Sequence, residues 1–468
     1  MILARSAAPW ALEREADIPA YRQIYTRVRD AILAGDLAPG TRLPSTRSLA
    51  SALATARGTV ALAYDLLAGE GYVLGRGAAG TIVDPQIRTR PARRPVARRA
   101  DVAPPGLPRG PIVFQMGLPA LDAFPRKLWS RLAARRARSL TTAAMLYQDP
   151  RGDPTLRQAI ASYLAIARGV ACRADQVFIT AGFQGALGLI ARAVLAPRDP
   201  VWVEDPGYFL ARDALRLAGA RLVPVPVDGN GIDVAAGVAR AADATLAVVT
   251  PAHQAPLGVT LSLARRLALL SWAARANAWI VEDDYDSEFR YRGRPLAALK
   301  SLDDAGRVLY VGTFSKVLFP SLRLGYLVAP DALAERLAAA SALLHPQPAP
   351  LNQAITADFL EQGHFARHIR RMRTLYVERR SALVSALRDH WGPVDNPPGG
   401  MHVLAPLPQG TDDVALVARA QAQGLSPTAL SPLVIEAACA PALLLSFTNL
   451  PAEEAPRAVR TLASLLKR

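Results

Sequence analysis

A run of prolines and arginines in the first quarter of the chain constrains its fold more than any other feature. Residues 85–110, within DPQIRTRPARRPVARRADVAPPGLPRGP, show no apolar periodicity. Such a segment buries too little apolar surface to offset the entropy lost on ordering, and its prolines favour a semi-extended chain. We therefore predict a linker at 85–110 that separates an amino-terminal domain at 1–84 from a larger domain at 111–468.

Composition narrows the class of protein. The net charge of +16 comes almost wholly from arginine, because lysine occurs only at positions 127, 300, 316 and 467. This excess is compatible with nucleic-acid binding and equally with a solvated surface. No apolar run reaches the roughly 18 residues of a membrane helix, and we expect no signal peptide in MILARSAAPWALERE. Two cysteines do not make a disulfide framework, so we expect a cytoplasmic protein.

The segment before the linker has the layout of a winged helix. Apolar residues repeat on one helical face over 21–33, and a Pro/Gly-rich turn follows. Ser45 is placed to cap a short helix, and a second helix starts near residue 55 and ends at Gly69. Two short apolar runs, 72–74 and 81–83, lie on either side of the turn GRGAAG and predict a hairpin.

Several side chains of this unit stand where DNA contacts are made. Specific binding needs a helix in the major groove and cations that fix its register on phosphates. Arg47 lies on the first helix of the pair, and Arg57 and Thr59 open the second. Gly77 and Gly80 allow the hairpin tip to approach the DNA backbone closely. One such arginine alone indicates only a solvated surface, but the joint arrangement favours DNA.

The stretch from YRQIYTRVRDAILAGDLAPGTRLPSTRSLA to DLLAGEGYV resembles the GntR family of bacterial winged-helix regulators. The resemblance implies that Arg47, Arg57, Thr59 and the wing around Arg76 and Gly77 contact a double-stranded DNA operator. Relatives carry an arginine where this chain has Ala61, so the resemblance does not extend to the operator sequence.

After the linker, apolar strand-like runs alternate with helical segments. This alternation predicts an α/β domain with a mostly parallel, helix-covered sheet. From about residue 350 a long basic helix and shorter mixed elements replace it, so we expect a large lobe at about 150–345 and a small lobe at 346–468. The predicted strands are 176–180, 201–204, 222–225, 246–250, 279–283, 308–312 and 325–328.

Residues with complementary chemistry follow these strands in order. Lys316 lies just after the strand VLYV, and Asp283 ends the strand AWIVE, at the sheet edge where ligands collect. An amine, a carboxylate, an anion cradle and a flat aromatic group are what pyridoxal phosphate (PLP) requires of a protein. Thr313, Ser315 and Arg323 flank the lysine and can share one phosphate, and Gly182 opens a helix whose free amides attract an anion.

Segments such as YQDPRGDPTLRQAIASYL, TPAHQAPLG, VEDDYDSEFRY and TFSKVLFPSLRLGYLV resemble fold-type I aminotransferases, over about residues 111–468. With the GntR-like head, the chain resembles the MocR subfamily of regulators. That resemblance implies a Schiff base at Lys316, a head-to-tail homodimer, and regulation by PLP or an amine effector. It also implies cofactor contacts by Asp283, Tyr285, Tyr208, Gly182, Phe183, Gln184, Thr313, Ser315 and Arg323, and by Tyr147 across the dimer.

Two sites depart from the aminotransferase pattern. His253-Gln254 occupies the region where aminotransferases place an asparagine beside the ring hydroxyl, and the resemblance assigns that role to His253. Leu444 occupies the position of the arginine that clamps a substrate carboxylate. Either another arginine substitutes, or the effector is not a simple carboxylate, or PLP itself is the signal.

His364 and His368 share helical spacing without a third ligand, so we predict surface or interface residues and no metal.

Three functions remain open on the sequence alone. The first is a PLP-responsive transcription regulator in which the aminotransferase-like domain has no efficient turnover. The second is a PLP-dependent aminotransferase with an accessory DNA-binding head. The third is a regulator that keeps the fold only for dimerisation, which the retention of Lys316, Asp283 and Arg323 disfavours.

Overall fold

The computed structural model describes residues 12–13, 18–87, 112–293, 297–344, 348–395 and 398–466. It divides into two compact units, residues 1–107 and 108–468. Most of the predicted linker at 85–110 lies outside the described residues.

The described part of the amino-terminal unit has three α-helices followed by a two-stranded hairpin, as the sequence predicts. The strands pair antiparallel, with Val73 opposite Val83. Its elements are α1 (Ala20–Ala34), α2 (Thr46–Ala52), α3 (Arg57–Gly69), β1 (Val73–Gly75) and β2 (Thr81–Val83).

The apolar periodicity and the capping residue that the sequence indicates for this unit have the expected roles in the structure. The periodic residues Ile24, Val28 and Ile32 of α1 are buried in its core. Ser45 caps α2, because its side-chain oxygen accepts a hydrogen bond from the Ser48 amide at 3.1 Å. α3 begins slightly later than predicted because the chain turns at Ala54, whose φ of 48° is left-handed.

An eight-stranded sheet lies at the centre of the second unit. Its order is β3-β10-β9-β8-β7-β4-β5-β6, and the neighbours from β9 to β5 run parallel. β10 is antiparallel to both of its neighbours, and β6 is antiparallel to β5. The strands are β3 (Val177–Thr180), β4 (Pro200–Asp205), β5 (Arg221–Asp228), β6 (Gly231–Ile232), β7 (Leu246–Val249), β8 (Trp279–Asp284), β9 (Val308–Thr313) and β10 (Gly325–Val328).

Helices cover both faces of this sheet and bury two apolar layers. In one layer Trp202 stacks on Trp272 with ring centroids 3.8 Å apart. Gly237 is required beside them, since a Cβ there would lie 2.8 Å from the Trp202 ring. The helices are α4 (Arg126–Arg138), α5 (Pro154–Arg168), α6 (Gly182–Val194), α7 (Phe209–Leu217), α8 (Val234–Ala241), α9 (Leu263–Ala276), α10 (Asp331–Leu344), α11 (Pro350–Glu361), α12 (His364–His390), α13 (Asp413–Ala422) and α14 (Ala455–Leu466).

A second sheet forms the small lobe, with β13 (Ala442–Ser446) between β11 (His402–Pro406) and β12 (Thr428–Ala429). The chain just after the linker joins this lobe, because Phe114 pairs with Ser446 at the end of β13. The small lobe therefore includes a segment from outside the predicted range 346–468.

Among the described residues, no helix is both long and apolar enough to span a membrane. Cys172 and Cys439 are free thiols.

Candidate functional site

A cavity of about 400 Å³ opens where β8 and β9 end and α6 begins. Ten of the twelve predicted cofactor residues line it. They are Gly182, Phe183, Gln184, Tyr208, Asp283, Tyr285, Thr313, Ser315, Lys316 and Arg323.

Lys316 and Asp283 supply the amine and the carboxylate of this cavity. The Lys316 Nζ donates to the Gly117 carbonyl at 3.0 Å, and burial lowers the pKa of this amine. Asp283 is 5% exposed, and burial raises its pKa well above the ordinary value, with Asp284 adding to the effect. Within the described residues, Asp283 Oδ1 is buried without a hydrogen-bond partner. A cationic N–H group on a bound ring would supply the partner that this oxygen lacks.

The start of α6 and the loop after β9 form an anion cradle. Gly182 takes a φ of 74°, and its backbone packs so closely on Gly325 that a Cβ at Gly325 would lie 2.8 Å from the Gly182 Cα. The Ser315 amide donates to Thr313 Oγ1 at 3.2 Å, and both residues line the cavity. Arg323 has a left-handed backbone conformation, with φ 49°, and it adds an exposed guanidinium. Amides, hydroxyls and a planar cation together suit a phosphate.

Two tyrosines provide the aromatic faces. Tyr208 precedes α7, and its ring lies 6.0 Å from that of Phe183 between centroids. Burial raises the pKa of Tyr208 to about 12, with Asp283 contributing. Tyr285 follows β8, and burial together with Asp286 raises its pKa well above the ordinary value. Both phenols therefore remain protonated and able to donate a hydrogen bond.

His253 is not among the residues that line the cavity, although it contacts one of them. Its Nδ1 lies 3.0 Å from Tyr285 Oη and 3.2 Å from Asp286 Oδ2, so the imidazole stands behind Tyr285. The cavity wall is formed instead by Ala255, because Gln254 turns its amide toward Glu204 and the Pro206 carbonyl. Adjacent residues of one turn point in different directions here, and the sequence pattern does not distinguish them.

The sequence analysis missed most of the wall contributed by the small lobe and the segment before it. Leu444 lines the cavity from the middle of β13, where Leu404 and Thr428 flank it. The Gly399-Gly400 pair, which lies just before β11, is the local signal in the sequence for this region. The other members that the analysis did not name include Met116, Gly117, Pro256, Met401, His402, Thr428 and Leu433.

His402 is a buried, neutral member of this wall. Its Nε2 lies 2.9 Å from the Pro256 carbonyl, which can only accept, so Nε2 carries the proton. Burial lowers the pKa of His402 to about 4, and the neighbouring His253 acts in the same direction. The imidazole therefore carries no charge near neutral pH.

Buried acids support the strands beneath the cavity. Asp284 accepts from Arg168 at 2.8 Å and from the Tyr310 hydroxyl at 2.5 Å. Glu204 accepts from Thr250 Oγ1 at 2.6 Å, and burial raises the pKa of Glu204 to about 7. These contacts hold the ends of β4 and β8 in place.

The remaining predicted residues of this unit lie elsewhere. Tyr147 is 98% exposed and does not line the cavity of its own chain. The prediction of a surface or interface position is wrong for His368, which is 5% exposed within its own chain and whose Nε2 lies 2.8 Å from the Val317 carbonyl. Among the described residues, no group of three His, Cys, Asp or Glu side chains could hold a metal ion.

The amino-terminal unit presents its predicted contact residues outward. Arg47, Arg57, Arg76 and Gly77 are exposed and Thr59 is partly exposed. Arg57 Nε donates to Thr46 Oγ1 at 3.3 Å, which links the first turns of α2 and α3.

Arg42 is a cation that the sequence analysis did not single out. Its guanidinium lies against the hairpin, since a Cβ at Gly80 would stand 3.1 Å from Arg42 Nε. Its place in GTRLPS, just before the capped helix, is the sequence signal.

Comparison with known proteins divides the chain in the same way. The family described as aminotransferase class I and II matches residues 122–460, and the family of bacterial regulatory proteins of the gntR type matches residues 20–83. A probable rhizopine catabolism regulatory protein, MocR, from Rhizobium meliloti is 41% identical over 90% of this chain and 88% of its own. The pyridoxine biosynthesis transcriptional regulator PdxR of Corynebacterium glutamicum is 34% identical over 87% of each chain.

Solved structures resemble the second unit. A kynurenine aminotransferase from Pyrococcus horikoshii superposes with a TM-score of 0.70 at 28% identity. The match covers 77% of this chain and 91% of the aminotransferase. The fold of the second unit is therefore that of an aminotransferase.

Proposed function

Because this chain belongs to the MocR subfamily of GntR-type regulators, we propose that it is a DNA-binding transcription regulator that senses a small molecule through PLP. One observation carries the proposal: a head with outward-facing arginines is joined to a unit whose cavity is lined by both Lys316 and Asp283, and one carboxylate oxygen of Asp283 is buried without a hydrogen-bond partner among the described residues. We divide the chain into a head at 1–84, a linker at 85–110 and an effector domain at 111–468.

The head supplies the contacts to double-stranded DNA. GntR-type winged helices bind DNA, and exposed Arg47 and Arg57 at the start of neighbouring helices suit phosphate contacts. Thr59, on the first turn of α3, is placed to reach a base edge, as in other recognition helices. The hairpin adds Arg76 and Gly77 as a wing that approaches the backbone.

The cavity residues fit PLP. When bound, this cofactor supplies an aldehyde carbon that reacts with amines. Lys316 provides the amine that holds the cofactor, and its lowered pKa makes the reactive neutral form more accessible. Asp283 keeps the ring nitrogen protonated, while Tyr208 covers the ring face and Tyr285 hydrogen-bonds the ring hydroxyl.

The phosphate of the cofactor belongs in the cradle at the start of α6. Gly182, Phe183 and Gln184 present the first amides of a helix thirteen residues long. Thr313, Ser315 and Arg323 surround them with two hydroxyls and a cation. A dianion is then bound without burying an unpaired charge.

We also propose that the protein is a homodimer. Met145, Leu146 and Tyr147 are 67%, 67% and 98% exposed, an unusual cluster of large apolar side chains in one short segment. In an aminotransferase-like dimer, Tyr147 would reach the phosphate of its partner. Sedimentation of wild-type protein and Tyr147→Ser would test this, and a monomeric wild type would contradict it.

The regulatory step is a shift between two states of the protein. A ligand shifts such an equilibrium only by its difference in affinity for the two states. We expect PLP, or an amine that reacts with it at Lys316, to alter DNA affinity in this way.

The test measures binding of the full-length protein to DNA from upstream of its own gene, with and without PLP. Lys316→Ala should abolish both the visible absorbance of the held cofactor and the PLP-dependent change in DNA affinity. The exposed Lys127→Ala is the matched control and should keep both. If Lys316→Ala keeps both signals, the proposal fails, and sustained turnover without a specific footprint would favour an aminotransferase.

A further inference from the structure

One wall of the cavity has no charge and is built from residues distant in sequence. Met116, Leu433 and Leu444 line the cavity and belong to one apolar cluster. Leu444 is 2% exposed and lies on the central strand of the small-lobe sheet. The wall is therefore apolar, and the small-lobe sheet holds Leu444 in place.

The segment that carries Leu433 is fixed to the large lobe. Asp205 accepts hydrogen bonds from the amides of Ile435, Glu436 and Ala437 at 2.7, 2.7 and 2.8 Å. Three charge-assisted bonds to one carboxylate make this loop part of a rigid frame.

The cations near this wall are already engaged. Arg212 stands behind Leu433, and its two terminal nitrogens donate to the carbonyls of Leu433 and Pro432 at 3.0 Å each. Among the described lining residues, Lys316 and Arg323 are the cationic side chains. The proposed function uses Lys316 to hold the cofactor and Arg323 to hold its phosphate.

His402 does not replace the missing charge. Its Nε2 donates to the Pro256 carbonyl, so the ring is fixed in the neutral form that offers only an acceptor. A carboxylate against this wall would face apolar side chains and a neutral imidazole, and burying it unpaired costs several kcal/mol.

We propose that the effector of this cavity is a primary amine that carries no carboxylate. This inference rests on the proposed function, because it concerns the ligand that reaches Lys316 when PLP is bound. In the exchange, the double bond from the cofactor carbon to the Lys316 nitrogen breaks as one to the ligand nitrogen forms. The ligand's two amino protons pass to the Lys316 nitrogen, which leaves as a neutral amine, so nothing is oxidised or reduced.

The experiment uses the full-length protein loaded with PLP and two matched ligand pairs. These are isopentylamine with leucine, and 2-phenylethylamine with phenylalanine, which differ only in the carboxylate. Binding is followed by the change in visible absorbance and by thermal unfolding. We expect each amine to bind at least about tenfold more tightly than its amino acid, because only the amino acid buries an unpaired charge.

Variants at Leu444 separate charge from shape. Leu444→Arg should reverse the preference toward the amino acids, whereas Leu444→Gln, of similar size and uncharged, should not. If either variant fails to fold, the wild-type comparison still decides.

The outcomes distinguish the two proposals. If PLP produces no visible absorbance in the wild-type protein, the proposed function itself fails. If PLP binds but amino acids bind as tightly as the amines or more tightly, or neither amine gives a response, the effector class proposed here is overturned.

Discussion

The two units use charge in opposite ways. The head exposes Arg47, Arg57 and Arg76 to solvent, where counterions screen them. The cavity unit buries Asp283 and Glu204, and burial shifts the pKa of each. Exposed cations suit a polyanion that is bound weakly at many points and in a salt-dependent way. Buried groups suit a single small ligand, because each one has a fixed direction and few competing partners.

The largest expected effect comes from removing the buried carboxylate of the cavity. Asp283→Asn should weaken PLP binding by about 2–5 kcal/mol, since it removes one partner of a buried charge pair. Titration followed by visible absorbance measures this loss. Asp213→Asn changes an exposed acid of the same unit and should leave PLP affinity unaltered. If Asp283→Asn and wild type bind PLP with equal affinity, the expectation that the buried carboxylate matters more than an exposed one is wrong.

The pH dependence of stability should reveal the buried acid Glu204. Its pKa is raised from 4.5 to about 7, so the folded protein holds a proton that the unfolded chain releases between these values. This contribution is fully present below about pH 4.5 and is lost as the pH rises through about 7, by up to about 3 kcal/mol.

Glu204→Gln should remove this part of the pH dependence. The free energy of unfolding, measured with urea at pH 5 and pH 8, should fall less for the variant than for wild type. Glu453→Gln replaces an exposed acid and should behave like wild type. If the stability of Glu204→Gln and that of wild type depend on pH in the same way, Glu204 is not the source of this pH dependence.

For the head, Arg57→Ala should weaken DNA binding by about 1.5–3 kcal/mol, because it removes a hydrogen bond between charged groups. The slope of log affinity against log salt should fall by about 1. Arg221→Ala, an exposed arginine of the other unit, is the control for net charge. Similar losses in both variants would mean that overall charge, and not the position of Arg57, accounts for binding.

The smallest effect should come from His253, which acts through Tyr285. His253→Asn should weaken PLP binding by about 0.5–1.5 kcal/mol, the value of one hydrogen bond. In a Tyr285→Phe background the same change should add almost nothing, because the bond at 3.0 Å is already lost. His390→Asn, at the exposed end of α12, is the control. Additive losses would show that His253 contacts the cofactor by another route.

Local signals made much of the fold predictable. The periodic apolar face of α1, the Ser45 cap and strand β8, which carries Asp283 near its end, each depend on a short stretch of sequence. The start of α3 was predicted less accurately, near residue 55. The turn before it requires a left-handed backbone at Ala54, a conformation that an alanine does not favour and that the sequence therefore does not indicate.

The amino-acid sequence by itself determined the division into two units, the mostly parallel sheet and the order of the cavity residues from Gly182 to Arg323. These features follow from periodicity and from residues near one another in the chain. Only the tertiary structure decided that Ala255 and not His253 faces the cavity, and that Met116, Leu433 and Leu444 form one uncharged wall. The physical reason is that this wall is assembled by contacts between residues hundreds of positions apart, which leave no pattern in any local stretch of sequence.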